Sequence, residues 1–323
     1  MNKKVQLFLI AGILVIAAIV LYDSLSTRVH KRPDNPFQFS VDEFKKVDHS
    51  LVSYQELRQI AVNDPKAFTT AKGKIYLTSG NQLQVITPQG QELLAFAIEP
   101  NATSMITDAA GNILIAYEHY VVKYDANGIE LQRSETFNDK SLLVSLAMAE
   151  NMIFITDAGK RRVLVFDSQL QFINSFKGES GVSDMHGFIV PSLHFALAVN
   201  LENELWIVNP GLHSMQNYSL SGRLRRYWAK SSFDLDGFSG CCNPYYIAFL
   251  SDGRFVTSEK GLVRVKIHHE SGAFESVVAT PDQFPGAVKA PAIAVDENDG
   301  IWLLDFEQSL LRYFEPKANT PIS

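Results

Sequence analysis

The chain has 323 residues, 46% of them hydrophobic and 20% charged, with only 2 cysteines. That composition excludes an intrinsically disordered chain, a collagen-like fibre and a disulfide-stapled mini-domain. The net charge of −6 divides unevenly, with +4 on residues 1–32 and −10 on the remainder. An acidic body repels polyphosphate, which argues against a nucleic-acid partner.

Taken in chain order, the first feature is the run from Val5 to Tyr22, 18 residues with Gln6 as the single polar side chain and no charge. As a helix it would span about 27 Å, close to the hydrocarbon thickness of a bilayer. The run is longer than the apolar core of a secretory signal, and Leu21-Tyr22-Asp23 makes a poor cleavage site. Lys3 and Lys4 precede it and should stay in the cytoplasm. The expected organisation is therefore a cytoplasmic tip (1–4), a single-pass signal-anchor (5–22), a linker with Pro33 and Pro36 (23–50) and a body (51–323). This places the body outside the cytoplasm, periplasmic if the host membrane is a bacterial inner membrane.

Within the body one short pattern recurs: a turn rich in Gly, Asn or Asp, followed by four mostly apolar strand-formers. It begins at Ile75, Ile113, Ile153, Leu205, Phe255 and Ile301, at intervals of 38, 40, 52, 50 and 46 residues. Each interval has room for about four strands, the signature of a propeller blade. No helical periodicity between the copies runs beyond about two turns, which argues against an α/β domain. The predicted fold is all-β, a six-bladed β-propeller behind one transmembrane helix. The sixth copy lacks an outer strand, and the stretch at 51–62, with strand character at Ile60 to Val62, is expected to pair with it and close the ring.

Ile153 to Thr156 followed by Asp157-Ala-Gly-Lys-Arg-Arg-Val-Leu-Val-Phe-Asp167 resembles an NHL repeat. Ser251 to Lys266 and Pro291 to Asp305 are similar, whereas the first two copies are degenerate. The resemblance covers roughly 53–317 and implies an NHL-type propeller; that family includes lyases, lactonase relatives and non-catalytic binding proteins. Gly240-Cys-Cys-Asn-Pro244 looks like a loop of bacterial envelope NHL-repeat proteins.

Chemistry is less legible. The position after each core strand holds Ser79, Tyr117, Asp157, Asn209, Glu259 and Asp305. Asp157, Asn209, Glu259 and Asp305 form a candidate ring of oxygen ligands for Ca²⁺ or another divalent cation, as the lactonase-like members imply. The same residue types also cap turns. If the ring held a metal, the protein would be a hydrolase or lyase, with His186 the candidate proton carrier; otherwise the propeller binds a small molecule or a protein partner without chemistry. Cys241 and Cys242 are adjacent, and a bridge between them would be a strained, reducible vicinal disulfide. Three readings stay open for the pair: a staple or ligand-pocket plate together with Asn243, two reduced thiols, or a redox or soft-metal site that His186 and His194 approach. Arg161, at a basic hairpin tip, is a candidate for an anionic ligand. His268-His269 reads as a solvated outer hairpin.

Overall fold

The computed structural model describes residues 2–26, 40–178 and 187–318. It forms two separate units, Met1–Val41 and Asp42–Ser323. The first contains the helix Lys3–Ser26, long and apolar enough to cross a bilayer. The second is a six-bladed β-propeller of six four-stranded antiparallel sheets.

Blade one comprises Pro65–Ala71, Lys74–Ser79, Gln82–Ile86 and Glu92–Ala97, and blade two Ser104–Thr107, Ile113–Ala116, Val121–Tyr124 and Glu130–Arg133. Blade three runs through Leu143–Ala149, Met152–Asp157, Arg162–Asp167 and Phe172–Phe176; blade four through Leu197–Val199, Leu205–Asn209, Ser214–Tyr218 and Leu224–Ala229. Blade five contains Tyr246–Phe249, Phe255–Glu259, Arg264–His268 and Phe274–Ala279. The last blade takes Ala292–Val295, Ile301–Asp305 and Leu310–Pro316 from the C-terminal region. Its fourth strand is Tyr54–Ala61, paired antiparallel from Tyr54↔Pro316 to Ala61↔Leu310. Glu56 on this strand accepts from Arg312 Nη2 at 2.6 Å, so an ion pair with a nearly buried guanidinium reinforces the joint.

The run of apolar residues in each second strand now has its reason. Those strands are sandwiched by neighbouring blades on both faces, and those of blades two, four, five and six are buried at every position. Six apolar clusters occupy the six joints between adjacent blades; the joint of blades one and six packs Ile75 and Leu77 against Trp302 and Leu304. Glycine sharpens several of these joints. Gly222, at φ +85, lies under Phe176 of the preceding blade, and a Cβ there would come within 2.6 Å of the ring; Gly128 and Gly272 meet Phe96 and Trp228 in the same way. The inner strands surround a central cavity of about 740 Å³, lined mainly by apolar and hydroxyl side chains such as Ile106, Met148, Val199, Phe249 and Thr69.

Candidate functional site: the cysteine loop of blade five

The four ring residues are buried but do not converge. Asp157 accepts from the backbone N–H of Leu142 (3.0 Å) and of Lys160 (3.1 Å), and from Arg162 Nε (3.0 Å). Asn209 accepts from the N–H of Ile189 at 2.8 Å and donates to the Gly187 carbonyl at 3.0 Å. Asp305 accepts from the N–H of Glu307 and Gln308. Glu259 pairs with Arg264 Nε at 2.7 Å and Lys266 Nζ at 2.8 Å. None of the four lines the central cavity, and among the described residues no three His, Cys, Asp or Glu side chains are grouped to hold a metal ion. Each is committed to its own blade. His186 lies outside the described residues. Arg161 stands exposed at its hairpin tip, at φ +51.

A different cluster is assembled where residues 230–242 pass from blade four to blade five. Arg264 and Lys266 alternate on the third strand of blade five and so share a face, with His268 completing the row. Arg264 donates to the carbonyls of Phe233 and Asp234, both at 2.9 Å, and Lys266 to that of Leu235 at 3.0 Å and also to that of Gly237. Burial pushes the Lys266 ammonium down to about 8, against the opposing pull of Glu259. His268 is fully buried beside Trp228, Phe238 and Phe274, both ring nitrogens lacking a hydrogen-bond partner. The expectation of a solvated histidine fails here because the incoming loop covers the row, and burial holds its basicity well below the ordinary value.

The loop ends on Asn243, which is 1% exposed. Its carboxamide donates to the Ser239 carbonyl at 2.7 Å and the Lys260 carbonyl at 3.0 Å, and accepts from the Lys260 N–H at 2.9 Å. Asn243 therefore ties the loop to the turn after the second strand of its own blade. His213 adds a strut from blade four, its Nδ1 2.6 Å from Ser231 Oγ and its Nε2 2.5 Å from the Gly240 carbonyl.

Cys241 and Cys242 ride on this frame as free thiols, one exposed and the other 1% exposed. Their sulfurs are 3.0 Å apart, about 1 Å beyond a covalent S–S bond. Burial raises the Cys242 thiol, but the S–H of Cys241, the Ser192 hydroxyl and the Lys260 ammonium together hold it below the ordinary value. Cys241 moves up, chiefly because its hydrogen is given to Cys242. Behind the pair, His194 stacks on Tyr245 (3.9 Å between centroids, 10° between planes), and Lys260 Nζ sits 5.4 Å from the Tyr245 ring centroid. Burial pushes His194 down to about 3, with Lys260 adding to the effect, so its imidazole is neutral at physiological pH.

Sequence reasoning singled out Cys241, Cys242, Asn243 and His194, but not Lys260, Ser192 or His213. A signal for Lys260 existed: Tyr246 pairs with Ser258, so the register of that hairpin, continued outward, places residue 260 opposite 244, next to Asn243.

No protein-family model matches the sequence, and no curated protein matches it. Solved structures do. Streptogramin B lyase is 12% identical, with a TM-score of 0.56 over 82% of this chain and 97% of that one. A catalytically inactive virginiamycin B lyase from Staphylococcus aureus, determined with quinupristin, is 15% identical with a TM-score of 0.56, over 82% and 99% of the two chains. A protein of unknown function from Bacteroides thetaiotaomicron reaches 0.57 at 12% identity, over 82% and 72%. At such identities the likeness carries the β-propeller fold and nothing about chemistry.

Proposed function

We propose that this chain is an NHL-type propeller anchored in a membrane by its N-terminal helix, with the body on the extracytoplasmic side, and that it recognises a partner or small ligand without transforming it. The observation that carries this reading is the rigid mounting of the cysteine loop. Two fully buried cations, Arg264 and Lys266, grip four of its carbonyls, and a buried amide, Asn243, locks its end. A loop ordered in advance loses little conformational freedom on binding, which favours recognition. The commitment of Asp157, Asn209, Glu259 and Asp305 to their own blades supports binding over metal-assisted hydrolysis. Leu193, 76% exposed, and Ile189 lie ahead of the first strand of blade four, on the segment that carries Ser192 and His194, and supply apolar contact area for a partner.

For the anchor, Val5 to Tyr22 supports the reading by length and composition, and Lys3 and Lys4 support the orientation. Two experiments test these assignments. Protease added to spheroplasts should digest the body while the protein stays with membranes after alkaline extraction; a protected body would reverse the orientation. A photocrosslinking side chain at Leu193 should give a discrete adduct in cells that one at Asn127, on an outer hairpin, does not. Equal crosslinking from both positions, or none, would count against recognition at this loop.

A further inference from the structure

We propose that Cys241 and Cys242 form an ordered dithiol that exchanges with small anionic disulfides, Cys241 accepting the first sulfur and Cys242 resolving the adduct. This does not depend on the recognition reading above. Four features of the loop carry it. The sulfurs are already in contact at 3.0 Å. The two thiols differ sharply in access, Cys241 being exposed and Cys242 1% exposed. Asn243, next to Cys242, is hydrogen-bonded to the Lys260 backbone at 2.9 and 3.0 Å, and the positive charge of Lys260 favours a thiolate on the inner sulfur. Gly240, at φ +75, turns the chain immediately before the pair in a conformation that a side-chain-bearing residue rarely adopts.

The steps balance. Cys241 gives up its proton, and its sulfur attacks one sulfur of the external disulfide R–S–S–R. The S–S bond of the reagent breaks, and one R–S⁻ leaves and takes up a proton. The Cys242 thiolate then attacks the Cys241 sulfur, breaking the mixed disulfide and releasing the second R–S⁻, which is protonated in turn. The protein dithiol is oxidised by two electrons and the external disulfide is reduced to two thiols. A bulky disulfide cannot reach Cys242 directly, so the order of the two thiols is set by burial. Lys260 is a positioning residue: it stabilises the resolving thiolate and attracts carboxylate-bearing disulfides.

The test uses the reduced full-length chain in detergent micelles, treated with oxidised glutathione and followed by intact mass. The native protein should lose two hydrogens while carrying little adduct. Cys242→Ser should accumulate a stable glutathione adduct on residue 241. Cys241→Ser should react at least about tenfold more slowly, because the remaining thiol is buried. Lys260→Met should accumulate adduct transiently on its way to the oxidised form, a change in the resolving step that mere loss of packing would not produce. The neutral hydroxyethyl disulfide should react more slowly than glutathione disulfide with the native chain, and this preference should disappear in Lys260→Met. Retention of both thiol hydrogens by the native chain overturns the proposal, as does a Cys241→Ser variant that reacts as fast as native. Should a variant fail to fold, brief alkylation of the native reduced chain decides the order by itself: Cys241 labelled first supports it, and Cys242 labelled first overturns it.

Discussion

Blades three and five carry the same pair of residue types at the same place: an acid ending the second strand and an arginine opening the third, directly opposite in register as Asp157↔Arg162 and Glu259↔Arg264. In blade three the acid is short. Its oxygens stay at the turn, capping two backbone N–H groups, and Arg162 retains 17% side-chain exposure. In blade five the carboxylate stands one methylene further out and meets two cations, both fully buried, which reach onward to four loop carbonyls. One methylene and one additional lysine thus separate an acid that finishes a turn from one that fastens a loop. A buried carboxylate facing two buried cations is tolerable only because the loop carbonyls take up the remaining donors.

Glu259→Gln leaves Arg264 and Lys266 buried without a counter-charge and should destabilise the propeller by about 3–5 kcal/mol, read from urea unfolding. A loss below about 1 kcal/mol would show that the carbonyls alone satisfy the cations. Asp157→Asn removes one partly exposed ion pair and weakens two caps. Its cost should be smaller, about 1–2 kcal/mol, and a larger effect at Asp157 than at Glu259 would invert the ranking.

Behind the cysteine loop, burial of a histidine makes stability depend on pH. The folded-state basicity of His194 is pushed down to about 3, below the ordinary 6.5 of the unfolded chain. The unfolded state therefore binds the extra proton, so the stability that neutral His194 contributes is present above pH 6.5 and lost as pH falls towards 3. The slope from one such group is at most about 1.4 kcal/mol per pH unit. His194→Phe keeps the stacking on Tyr245 and removes this term. Native and variant stabilities should converge or cross as pH falls from 6.5 to 4, while His268, present in both, cancels. A pH-independent difference would place His194 in contact with water.

Much of the fold was legible because it is repetitive and local. Six strand motifs at 38–52-residue intervals set the blade count, and glycine- and aspartate-containing turns set the hairpins within each blade. The missing outer strand of the last blade pointed to a strand from the other end of the body, and Tyr54–Ala61 occupies that position. Periodicity was a poorer guide to side-chain roles. Asp157, Asn209, Glu259 and Asp305 recur at one blade position and suggest a ring, yet repetition reports equivalent sites on separate blades, and equivalence is not convergence.

The apolar N-terminal segment, the all-β six-bladed architecture and the adjacency of the two cysteines all follow from the chain's residue order, since each depends on composition or short spacing. What surrounds the loop that carries those cysteines depends on tertiary packing. Ser192, His213 and Lys260 are separated from them by 18 to 50 residues and come from different turns, so no local pattern links them. The same holds for His268, whose burial depends on a loop delivered by the neighbouring blade. Strand propensity is a property of a few consecutive residues, whereas the environment of a side chain is decided by whichever distant segment packs against it.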